Sequence, residues 1–212
     1  MMTETERLAL YVITDEREDR DSLLKTCEAA LQGGAGVIQL RRKNDSGLAL
    51  VQLGLALREL TTAYRALYIV NDRIDVALAT DADGVHVGQD DLPLGIARRL
   101  MGPKIIGVSA STVAEALKAK EGGADYLGVG AVFATESKDD ATLCGLNGLR
   151  TIAKAVSGCP VVAIGGITQN NADAVLDCGV VGLAVISAVM GSGDPRSAAQ
   201  ALFTQIHSYR QK

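Results

Sequence analysis

The feature that most narrows the fold is a pattern that occurs eight times: a short apolar run bounded by turn residues, then a longer stretch of helical character. The runs cover 8–14, 36–41, 67–70, 84–87, 105–110, 126–131, 161–166 and 182–187. Short apolar runs closed by Gly, Asn or Asp read as buried strands. The stretches between them, such as LALVQLGLALRELTTAY, read as helices. Parallel neighbours need a crossover connection, so strict alternation forces a parallel sheet. Eight such units in 212 residues predict a closed (β/α)8 TIM barrel, one domain spanning 1–212, with a doubly wound open sheet as the alternative.

Composition supports an interior of small aliphatic side chains. Hydrophobic residues make up 48% of the chain, aromatics only 3%, and Trp is absent. Val, Ile, Leu and Ala must fill the core, as they do in parallel α/β proteins. A net charge of −4, with Arg41-Arg42-Lys43 the only basic cluster, argues against a nucleic-acid partner. The four cysteines at 27, 144, 159 and 178 show no CxxC spacing. That favours reduced thiols and a cytoplasmic protein over a zinc site or a disulfide framework. No run approaches the roughly 18 apolar residues a membrane span needs, and the acidic start lacks the basic flank of a signal peptide. No membrane association is expected, and the sequence leaves open whether the chain forms a homo-oligomer.

In a barrel of this kind the active site lies at the carboxyl ends of the strands, so the residues after each apolar run carry the functional information. The second run ends in Gln39-Leu40-Arg41-Arg42-Lys43. Period-2 alternation puts Gln39, Arg41 and Lys43 on one face, suited to a diphosphate, while Leu40 and Arg42 point elsewhere. The third and fourth runs end in Asn71-Asp72 and Gln89-Asp90-Asp91. Singly, Asp72 and Asp91 read equally well as helix N-caps; together, after adjacent strands, they suit one hard divalent cation such as Mg2+. His86, inside the fourth run, reads as a packed histidine before a proton shuttle.

The fifth run ends at Ser109. After the sixth comes Thr135-Glu136-Ser137-Lys138, whose hydroxyls and Lys can donate to phosphate oxygens. It lies in the longest connection, 132–146, a position typical of lids. The seventh and eighth runs end in Gly165-Gly166 and Ile186-Ser187, where backbone N–H groups can cradle a phosphate.

Seven motifs in order, YVITD at 11–15, QLRRK at 39–43, NDRIDVALA at 71–79, ADGVHVGQDD at 82–91, GVSA at 107–110, TESK at 135–138 and AIGGI at 163–167, resemble the thiamine-phosphate synthase family over nearly the whole chain. The resemblance implies a Mg2+-dependent transferase that joins a hydroxymethylpyrimidine diphosphate to a thiazole phosphate and releases pyrophosphate. It implies pyrimidine-diphosphate contacts at Gln39, Leu40, Arg41, Arg42, Lys43, Asn71, Ser109 and Lys138, with Arg41, Lys43, Ser109 and Lys138 catalytic. Metal ligands fall at Asp72 and Asp91, and thiazole-phosphate contacts at Thr135, Glu136, Ser137, Gly166, Ile186 and Ser187. Ser137 departs from the family's usual second Thr but keeps a hydroxyl, and Cys144 reads as packing. A thiazole tautomerase on the same barrel and a non-catalytic binder of phosphorylated ligands are the alternatives.

Overall fold

A computed structural model describes residues 3–135 and 143–211. A short helix, α1 (Glu4–Arg7), precedes the first strand. Then follow β1 (Leu10–Ile13), α2 (Arg20–Gln32), β2 (Val37–Leu40), α3 (Gly47–Tyr64), β3 (Leu67–Asn71), α4 (Ile74–Ala79), β4 (Gly84–Val87) and α5 (Leu94–Met101). The second half comprises β5 (Ile105–Ala110), α6 (Val113–Glu121), β6 (Tyr126–Val129), α7 (Gly145–Ala155), β7 (Val161–Ile164), α8 (Ala172–Leu176), β8 (Gly182–Val185), α9 (Ser187–Met190) and α10 (Pro195–Arg210). Every strand pairs in parallel with the next, and β8 closes on β1. The fold is the (β/α)8 barrel that the alternation predicts.

Period-2 alternation sorts the strand residues into two cores. Leu10, Val12, Ile38, Leu40, Val70, Val85 and Leu127 face the helices and join the outer core. Tyr11, Ile13, Val37, Leu67, Ile69, Tyr126, Val162 and Ala184 face inward and fill the barrel. Two inner-face positions are glycines for reasons of space. A Cβ on Gly107 would lie 2.1 Å from the Tyr126 ring, and one on Gly128 would lie 2.8 Å from His86 Cε1. The absence of those side chains admits a phenol and an imidazole to the barrel interior.

Local signals start several helices. The Asp19 carboxylate accepts from Asp21 N and Ser22 N at the head of α2, Ser46 caps α3, and Thr112 with Glu115 forms a capping box on α6. Each cap satisfies N–H groups that a helix start leaves without partners. Five predicted strands run too far. Those expected to 14 and 41 end one residue earlier, at Ile13 and Leu40, and those expected to 131, 166 and 187 leave the ladder two residues earlier, at Val129, Ile164 and Val185. The residues beyond form the loops of the upper rim, and Ser187 opens α9.

Candidate active site

The carboxyl ends of the strands surround a cavity of about 500 Å3. Gln39, Arg41 and Lys43 all line it, in agreement with the one-face pattern. Leu40 and Arg42, expected from the resemblance to contact substrate, send their side chains away. Leu40 is buried in the outer core, and Arg42 is held by Asp45 at 3.0 Å and by backbone carbonyls of Asp15 and Arg17. Alternation along β2 is the physical reason, so neither side chain is a cavity group. Any contact from these two positions would have to come from the backbone.

Thr14, at the end of β1, fixes the tip of β2. Its Oγ1 accepts from Arg41 N at 2.9 Å and donates to Arg41 O at 3.1 Å. Arg41 is thereby aimed while its guanidinium remains uncommitted: no ion pair among the described residues involves Arg41 or Lys43. Arg42, between them, is consumed structurally.

Asn71, Asp72 and Asp91 line the same cavity. Neither Asp serves as a helix cap. The N-cap of α4 is Arg73 and that of α5 is Pro93, both without a side-chain capping bond. The carboxylates are instead oriented by near neighbours. Asn71 Nδ2 donates to Asp72 Oδ2 at 2.6 Å, and Gly88 N donates to Asp91 Oδ2 at 2.8 Å. Asp72 N is tied to His86 O at 2.8 Å across β3 and β4. Its φ of +60° places Asp72 in the left-handed region, which Asp tolerates better than most residues.

The set fits a hard divalent ion. No group of three or more His, Cys, Asp or Glu that could form a full metal cage occurs among the described residues. Mg2+ is ordinarily held by one or two carboxylates, with phosphate oxygens and water completing its shell.

Ser109 also lines the cavity, and its carbonyl accepts from Gln89 Nε2 at 2.6 Å. Below it a hydrogen-bonded chain crosses the barrel. Gln39 Nε2 donates to Tyr11 Oη at 2.7 Å. Tyr11 Oη lies 2.8 Å from Tyr126 Oη, Tyr126 Oη 3.0 Å from His86 Nδ1, and His86 Nε2 2.9 Å from Ser109 Oγ. Burial raises the Tyr11 and Tyr126 hydroxyls far above the ordinary phenol value, so both remain protonated. Sequence reading missed Tyr11 and Tyr126 and took His86 for packing. The signal was a polar residue on the inward face of three separate apolar runs.

On the other side of the cavity lie Thr135, Gly165, Gly166, Ile186 and Ser187. Gly166 has φ +63°, and a Cβ there would sit 2.7 Å from Ala134 O. Only glycine lets the chain pass so close. Asn171 Nδ2 donates to Gly166 O at 2.9 Å and pins the turn. Glu136, Ser137 and Lys138 lie outside the described residues. Cys144 packs against the outer core, and burial raises its thiol, in keeping with a packing role. A second hollow, of about 490 Å3 beside α10, is lined only by uncharged residues, among them Gln169, Gln200 and Gln205. It offers a phosphate no cation.

The family described as thiamine monophosphate synthase matches residues 10–189. A thiamine-phosphate synthase of Chloroflexus aurantiacus is 53% identical over 195 residues, covering 91% of this chain and 90% of the relative. One from Methanobrevibacter smithii is 49% identical over 199 residues, covering 93% and 95%. The solved thiamine phosphate pyrophosphorylase of Pyrococcus furiosus superposes with a TM-score of 0.89 at 45% identity, covering 98% of this chain and 99% of that one. With the family match spanning nearly the whole barrel and synthases about half identical along it, the chain belongs to the thiamine monophosphate synthase family.

Proposed function

We propose that the chain condenses 4-amino-2-methyl-5-(diphosphooxymethyl)pyrimidine with 4-methyl-5-(2-phosphooxyethyl)thiazole, or its carboxylated form, to give thiamine phosphate. The reaction is Mg2+-dependent and releases pyrophosphate. One observation supports this reading: Arg41 and Lys43 line the same cavity as Asp72 and Asp91, and no ion pair between described residues joins the two cations to these two carboxylates. Cations and carboxylates that share one cavity suit a third party, here a diphosphate on the cations and a metal ion on the carboxylates.

Asp72 and Asp91 would hold the ion, and the chemistry it supplies is neutralisation of charge on the diphosphate. Arg41 and Lys43 bind the diphosphate oxygens and stabilise the charge that builds up as the C–O bond breaks, and Lys138 joins them on this reading. Thr135 and the turn at Gly166, with Ser187 after the neighbouring strand, take the thiazole phosphate, and Glu136 and Ser137 fall in the same loop as Thr135. Positioning and electrostatic stabilisation suffice for such a dissociative step. A general base is not required.

All four cysteines are free thiols, and among the described residues no helix is long and apolar enough to cross a membrane. We place the protein in the cytoplasm, acting on phosphorylated small molecules. The reading is tested by following pyrophosphate release with both substrates present, with Mg2+ and then with EDTA. Release that needs both substrates and the metal supports it; release indifferent to EDTA counts against the roles given to Asp72 and Asp91.

A further inference from the structure

The chain beneath the cavity can be given a direction. Each phenol carries one hydrogen, and an amide nitrogen can only donate. Gln39 Nε2 therefore donates to Tyr11 Oη. If Tyr126 also donated to Tyr11, the Tyr11 hydrogen would be left in a site only 2% exposed, with no acceptor among the contacts in the structure. A buried hydroxyl hydrogen without an acceptor forfeits the bond it had in water, a larger loss than a net hydrogen bond returns. The other direction spends every hydrogen. Tyr11 donates to Tyr126, and Tyr126 donates to His86 Nδ1, which is then the lone-pair nitrogen. The ring proton sits on Nε2 and is donated to Ser109 Oγ.

We propose that donation runs from Gln39 through Tyr11, Tyr126 and His86 to Ser109, making His86 a positioning residue that leaves the Ser109 hydroxyl hydrogen for an acceptor on the pyrimidine substrate. The identity of that acceptor rests on the function proposed above; the direction of the chain does not. The two ends are complementary to an aminopyrimidine. The chain leaves the Gln39 carbonyl oxygen unspent as an acceptor, and Ser109 Oγ–H is a donor on the same cavity wall. An amino group donates and a ring nitrogen accepts. Were the Gln39 amide turned around, the entire chain would reverse: His86 would carry its proton on Nδ1, and the Ser109 hydrogen would be consumed by His86.

The two histidines of the chain make the test self-calibrating. His207 Nδ1 lies 2.9 Å from Phe203 O, a carbonyl that can only accept, so His207 carries a proton on Nδ1. Long-range 1H–15N correlation on the full chain labelled with 15N-histidine should reveal one histidine of each tautomer, with His207→Gln assigning the pair. The Tyr126→Phe variant should raise KM for the pyrimidine diphosphate about three- to tenfold, the size of one net hydrogen bond, with KM for the thiazole phosphate unchanged. A proton on His86 Nδ1, or on both nitrogens, overturns the proposal, as does an unaltered pyrimidine KM in a folded Tyr126→Phe. If the unmutated protein forms no thiamine phosphate, the function reading fails, and the spectrum still decides the direction of the chain.

Discussion

Asp72 shows how backbone and chemistry are joined at one residue. Its left-handed φ of +60° costs an ordinary side chain about 1 kcal/mol, and its Oδ2 already accepts from Asn71. Asp72→Asn keeps the shape and the tolerance of that conformation but removes the charge. Its melting temperature should match the parent, while kcat/KM falls by about two to three orders of magnitude, the scale of losing one electrostatic stabiliser. Asp72→Ala should lose the same activity and, in addition, about 1 kcal/mol of stability. Normal turnover in a folded Asp72→Asn would remove this residue from the site. The place of Asp72 at a strand end beside the cavity was legible in the sequence because Asn71-Asp72 closes an apolar run. The left-handed turn was not, since nothing but the fold requires it of an aspartate.

At the scale of elements, α6 is held at its start by reciprocal bonds. Glu115 Oε2 accepts from Ser111 N at 2.7 Å and Thr112 N at 3.2 Å, while Thr112 Oγ1 accepts from Glu115 N. Burial alone would raise the Glu115 carboxyl, but the bonds from Ser111 and Thr112 outweigh it and hold the group below its ordinary 4.5. A depressed carboxyl stabilises the fold above its unfolded value and loses that contribution as pH falls through the folded one. Thr112→Ala should cost about 1 kcal/mol at neutral pH. The stability gap between the parent and Glu115→Gln should close as pH drops below 4.5, read by urea unfolding across pH. A gap that widened toward acid would reverse the assigned sign.

Strand parity was the most legible element-level signal. It placed Gln39, Arg41 and Lys43 on one side of β2 and Leu40 and Arg42 on the other, and the structure puts the first three in the cavity. Strand ends were less legible, because residues such as Gly130 and Gly165 continue the apolar pattern after ladder pairing stops. The helices α1 and α9, four residues each, are too short to impose a period on the sequence.

For the whole molecule, alternation of eight βα units was enough to specify a closed barrel, and the barrel dictates where the site must be. What it could not specify is the hydrogen-bonded floor. Tyr11 and Tyr126 are 115 positions apart, and His86 and Tyr126 are 40 apart. Only closure of β1 through β8 brings such distant residues together, and glycines at 107 and 128 leave them room. The loops after β2 and after β7 come to line one cavity for the same reason. Two cations and a glycine turn on the wall of one cavity are a property of the closed fold, not of any segment.

The central claim is that this one cavity joins the two phosphorylated halves of thiamine phosphate. The most direct measurement is to incubate the purified protein with both substrates, with Mg2+ or with EDTA, and to detect thiamine phosphate as fluorescent thiochrome. The account predicts product with Mg2+ and none with EDTA. A folded protein that binds both substrates yet forms no product in Mg2+ would contradict it.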